Sequence, residues 1–190
     1  TPLTPSPFRP MSALTVNRKR AFMGNCAAPE STFITDGRIL LVKSACEPRL
    51  AQSKTVTVGG YGPASPVRED QLKKLFDEAV KDGTREAEIL GYASGKDVGR
   101  PENENEVLAC IATRGGEIVV VDADKLRFIQ EKTGADGVRV MARQPEKRPV
   151  VLTKAGVPVA VTISCHAPAA VAAFKKMIAA TSRHAAFASV

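Results

Sequence analysis

The chain has 190 residues, of which 44% are hydrophobic, only 5% are aromatic and none is tryptophan. That supplies one core of aliphatic side chains and argues against a broad aromatic recognition surface. No run approaches the ~18 consecutive apolar residues of a membrane-spanning helix, and the net charge of +7 suits an anionic partner better than a cationic one.

The charge is segregated. Residues 1–50 carry seven basic and three acidic groups, net +4; residues 51–138 carry twelve and sixteen, net −4; residues 139–190 carry eight and one, net +7. Basic ends flanking an acidic middle point to terminal segments that meet RNA, acidic protein or lipid headgroups. The four cysteines, Cys26, Cys46, Cys110 and Cys165, form no CxxC pair, which excludes a ribbon-type zinc site and a disulfide-stapled miniprotein.

In chain order, residues 1–30 read as an extended Pro-rich basic arm, with four prolines in the first ten residues. The sequence starts at Thr1, has no acid in its first 29 residues, and places Arg9, Arg18, Lys19 and Arg20 there. This resembles an organelle-targeting sequence or its mature-side remnant, and the expected location is a plastid or mitochondrion after processing, otherwise the cytoplasm.

Residues 31–183 read as a single α+β domain and 184–190 as a tail. Thr32–Thr35 and Arg38–Val42 flank Asp36-Gly37, which predicts a hairpin with a type I′ turn. Thr55–Val58 predicts a strand. A helix follows over Pro66–Asp82, with Ser65 as cap and Leu72, Leu75, Phe76, Ala79 and Val80 as its apolar stripe.

Arg85–Tyr92 predicts a strand, then a polar loop over Gly95–Glu106. Val107–Thr113 and Glu117–Val121 form a second hairpin through Arg114-Gly115-Gly116. Asp122 caps a helix over Ala123–Thr133 that Gly134 ends. Strands over Gly137–Ala142, Arg148–Thr153 and Val157–Ser164 and a helix over Pro168–Thr181 complete the set. Hairpins with few helical crossovers predict a mainly antiparallel sheet with two or three helices on one side. The order across Glu117–Ser164 is similar to part of a DNA sliding-clamp domain, and the hairpin, middle helix and terminal helix follow an order similar to profilin. No specific motif carries either likeness, so neither family is assigned.

Few residues are arranged for chemistry. Gly59-Gly-Tyr-Gly62 lies between a strand and a helix, as a phosphate cradle would, but lacks GK[ST] and has Glu69-Asp70 in the first turn. Gly91 to Lys96-Asp97 is one residue short of a P-loop. Cys26 with His166 or His184 is the only thiol–base pairing to consider, and Cys165 and His166 are neighbours whose side chains diverge on a strand. Asp122/Asp124 read as helix capping, and Glu102, Glu104 and Glu106 as a solvated loop. No catalytic, cofactor or metal residue is assigned.

The basic clusters carry the functional expectation. Arg9, Arg18, Lys19 and Arg20 in the arm, and Arg143, Lys147 and Arg148 beside a strand pair, are the expected partner-binding residues. The reading is a non-catalytic accessory subunit docked on a larger assembly, such as an organellar ribosome or a photosynthetic or respiratory membrane complex. A free-standing RNA-binding protein and a small thiol enzyme are the alternatives.

Overall fold

Turn chemistry determines where this chain folds back on itself, beginning with Asp36-Gly37. In the computed structural model, which describes residues 8–22, 31–51, 69–141 and 149–187, β1 (Phe33–Thr35) and β2 (Ile39–Val42) pair antiparallel across that turn. The type I′ geometry is corrected: only Gly37 has a positive φ, +84°. Asp36 instead accepts hydrogen bonds from the backbone N–H groups of Arg38 and Ile39 at 2.8 and 2.9 Å. A carboxylate that can fold back on its own backbone removes the need for a second left-handed residue.

The helix read over Pro66–Asp82 is seen as α3 (Glu69–Asp82), and the expected strand Thr55–Val58, with Gly59–Gly62, Ser65 and Pro66, lies outside the described residues. Two four-residue helices precede it, α1 (Arg18–Ala21) and α2 (Pro48–Ala51). Leu72 and Ala79 of α3 are buried, while Leu75, expected on the same stripe, is 58% exposed.

The other strands follow the sequence closely: β3 (Arg85–Ser94), β4 (Val107–Thr113), β5 (Ile118–Asp122), β6 (Gly137–Val140), β7 (Pro149–Lys154) and β8 (Val157–Ile163). Between β5 and β6 lies α4 (Ala123–Thr133). Asp122 accepts from the Lys125 N–H at 3.1 Å, and Gly134 closes the helix at φ +69°. The last helix, α5, runs over Pro168–Phe187, further than expected.

All eight strands form one antiparallel sheet in the order β1-β2-β8-β7-β6-β3-β4-β5. The expectation of helices on one side is corrected. Along β4, Ala109 and Ile111 face the α4 core, whereas Leu108 and Cys110 face the α5 core. On one face α4 covers the sheet. On the other, α3 packs over β1, β8 and β7, while α5 packs over β4 and β5. Leu108, Ile111, Leu126, Ile129 and Phe174 are fully buried, and each such side chain contributes about 1.5–3 kcal/mol. The result is an α+β fold with both sheet faces in use. Among the described residues, no helix is long and apolar enough to cross a membrane.

Candidate docking surface

Residues 8–22 pass from one face of the sheet to the other. On the α5 side, the Phe8 ring meets Phe174 edge-on with centroids 5.9 Å apart. The Arg9 N–H donates to the Tyr92 carbonyl at 2.8 Å, and the Tyr92 N–H donates back to Arg9 at 2.7 Å. Beyond Pro10 the chain is on the α4 side, where Met11, Leu14 and Ala21 are buried. Space for this crossing exists because β6 pairs with β3 only over Arg85–Ala87, leaving the edge of β3 near Tyr92 to the arm.

Gly91 makes the close approach possible. A Cβ at this position would lie 2.2 Å from the Arg9 carbonyl oxygen, inside van der Waals contact. β3 also carries its register irregularity here, between Ile89 and Gly91. A bulge beside a glycine lets another backbone come near.

A second mooring holds α1 against α4. The Asn17 N–H donates to the Asp124 carboxylate at 2.9 Å, and Lys125 Nζ donates to the Arg20 carbonyl at 3.0 Å. Phe22 stacks on Phe128 with centroids 5.3 Å apart. Burial pushes the Asp124 carboxyl above its ordinary range, aided by the charge of Asp122, while the Asn17 bond and the cations of Arg20 and Lys125 pull it back. The Arg20 guanidinium is turned inward to the Asn105 carbonyl.

The expected partner-binding cations therefore divide. Arg9, Arg18 and Lys19 are exposed and pair with no carboxylate among the described residues. Arg20 is half-buried and engaged by its own chain. Arg143, Lys147 and Arg148 lie outside the described residues. Residues 8–22 rest on the chain's own core, and they present the three outward cations from a fixed support.

Among the described residues, nothing covers the same face of the sheet between α3 and α5. A concavity of about 470 Å³ lies there, floored by Glu86, Glu88, Gly137 and Arg139, with Ala112 and Thr153 at its margins. Glu86 and Arg139 are directly opposite on β3 and β6. Glu86 and Glu88 are exposed and pair with no cation among the described residues. Nothing in the sequence reading singled out this trough.

The other chemical candidates separate in space or lie elsewhere. Cys26 is outside the described residues, and His166 is exposed. Burial pushes the Cys110 thiol up to about 12 and the Cys46 thiol to about 11, the latter also through Glu47. Burial likewise raises Cys165, with Asp122 and Glu106 adding to it. A thiol held protonated is a poor nucleophile.

Gly91 to Ser94 form strand rather than a phosphate-binding loop. Glu106 pairs with Arg100 at 3.2 Å, so the loop acids are partly structural. Among the described residues, no group of three or more His, Cys, Asp or Glu is placed to hold a metal ion.

No protein-family model, curated protein or solved structure matches the chain. The sequence did contain one overlooked signal for the arm. A lone glycine at position 91, inside an otherwise strand-like run, is the mark of a bulge or of a second backbone passing close by.

Proposed function

We propose that this protein is a non-catalytic accessory subunit that docks onto a larger macromolecular assembly through its N-terminal cations. One observation carries the reading. Arg9, Arg18 and Lys19 stand outward on a segment that the chain's own core immobilises. Cations on a fixed support bind an anionic surface without the ordering entropy that a free arm loses on docking. Assemblies of the kind expected are an organellar ribosome or a photosynthetic or respiratory membrane complex.

The test is native sedimentation of an extract, with the chain tracked by mass spectrometry. The expected result is migration in a large particle, lost when Arg9, Arg18 and Lys19 are all changed to Glu while the fold is retained. Loss on nuclease treatment assigns the particle to the ribosomal class, and release only by detergent assigns it to a membrane complex. Migration as a free chain of about 20.2 kDa overturns the proposal.

A further inference from the structure

Among the described residues, the helical layer on the α3/α5 face has a position left unfilled. From β8, beneath α3, to β4, beneath α5, the sheet order runs β8-β7-β6-β3-β4, four strand spacings or ~19 Å in all. Helices pack side by side at roughly 8–10 Å, so two such intervals, and therefore one additional helix, fit between α3 and α5. The floor is low where that helix would lie, because Gly137 and Ala112 carry little or no side chain.

The floor is also selective. Among the described residues, Glu86, Glu88 and Asp136 outnumber Arg114 and Arg139 around it, which makes this lining acidic in a chain of net charge +7. Arg139 is partly engaged by the Gly156 carbonyl at 3.3 Å, whereas Glu86 and Glu88 have no cation partner among the described residues. Exposed carboxylates two apart on one strand point the same way, out of the sheet and into the trough.

We propose that the trough seats a helix of a protein partner whose facing side carries lysine or arginine. The inference rests on the docking reading in supposing a protein partner, but it concerns a separate surface of opposite charge from the arm. The partner's cations would lie over Glu86 and Glu88, and small or aliphatic residues over Gly137, Ala112 and Leu90. Complementary charge of this kind selects the partner and its orientation more than it adds affinity.

Two synthetic alanine-based helical peptides serve as probes, one with lysine along a single face and the other with glutamate. They are titrated into the isolated full chain and followed by amide chemical shifts. The lysine peptide is expected to bind at least about tenfold more tightly than the glutamate peptide, with shifts at Glu86–Leu90, Ala112 and Gly137–Arg139. Glu86→Lys with Glu88→Lys, both at exposed positions, is expected to reverse the preference with the fold unchanged by circular dichroism. Equal binding of both peptides, binding of neither, or shifts confined to residues 8–22 overturns the inference. Because the isolated chain suffices, failure here is distinct from failure of the docking reading, which the sedimentation experiment decides alone.

Discussion

Arg9 and Tyr92 exchange both of their backbone hydrogen bonds, at 2.8 and 2.7 Å, and so add one antiparallel bridge to a strand edge that β6 leaves vacant. The bridge is flanked by Phe8 against Phe174 on one face and by Met11 in the opposite core. Its geometry depends on the neighbouring Gly91, whose missing side chain leaves room for the Arg9 carbonyl.

Gly91→Ala therefore displaces the arm. Exposing Met11 and Leu14 is expected to cost ~2–4 kcal/mol of stability and to speed trypsin cleavage after Arg18 and Lys19. Gly115→Ala is the control, since a Cβ there meets only Thr113 Oγ1, at an ordinary 3.7 Å. Equal protease resistance in the two variants would show that the bridge does not hold the arm.

Asp124→Ala attacks the second mooring. It leaves the Asn17 N–H without its acceptor at 2.9 Å, and a donor stranded in this way costs roughly 1–3 kcal/mol. Asp124→Asn retains an acceptor oxygen and removes the buried charge, so it is expected to be the more stable variant at neutral pH. Thermal melts of the two proteins check the order.

Thr162 offers a stabilising change. It is 1% exposed on β8, and its hydroxyl finds no hydrogen-bond partner among the described residues. Thr162→Val keeps the branched shape beside Val150 and Ile39 and is expected to raise stability by ~1 kcal/mol. Urea denaturation with an unchanged slope and a higher midpoint is the expected observation.

Glu69 links stability to acid pH. Partial burial tends to raise its carboxyl, but hydrogen bonds from the Ser31 and Thr32 hydroxyls and the Thr32 N–H, with Lys43 nearby, bring the net result below the ordinary 4.5. A depressed carboxylate stabilises the fold fully above its unfolded value and loses that contribution as pH falls through the folded value. Glu69→Gln is thus expected to lower stability at neutral pH and to flatten the decline below about pH 4.5. Parallel acid-unfolding curves for the two proteins would exclude Glu69 as the source.

Much of the fold was legible locally. The run Asp122 to Gly134 announces its own cap, helix and stop, and the structure places each there. The second hairpin and the strands β7 and β8 follow from turn glycines within a residue or so of their ends.

What local pattern does not reveal is which face of the sheet a helix covers. A clue was present in Val107–Thr113, a run apolar at nearly every position, which suits a strand buried on both sides. The trough was hidden for a related reason. The opposition of Glu86 to Arg139 depends on β6 returning from a distant part of the chain to lie beside β3. The arm cations were read as one group because nothing near Arg20 in sequence announces Asn105 as the partner of its guanidinium.

The arm's crossing also imposes an order of events during folding. Residues 8–22 are synthesised well before β3 and α5, yet the partners of Arg9 and Phe8, Tyr92 and Phe174, belong to those later elements. Contacts so distant in sequence form late, after the intervening chain has closed its loop. The earliest of the described residues to leave the ribosome are thus among the last to be seated. Until then the slot beside β3 stays open, so an emerging chain has a period in which its own arm and any extended neighbour compete for one strand edge.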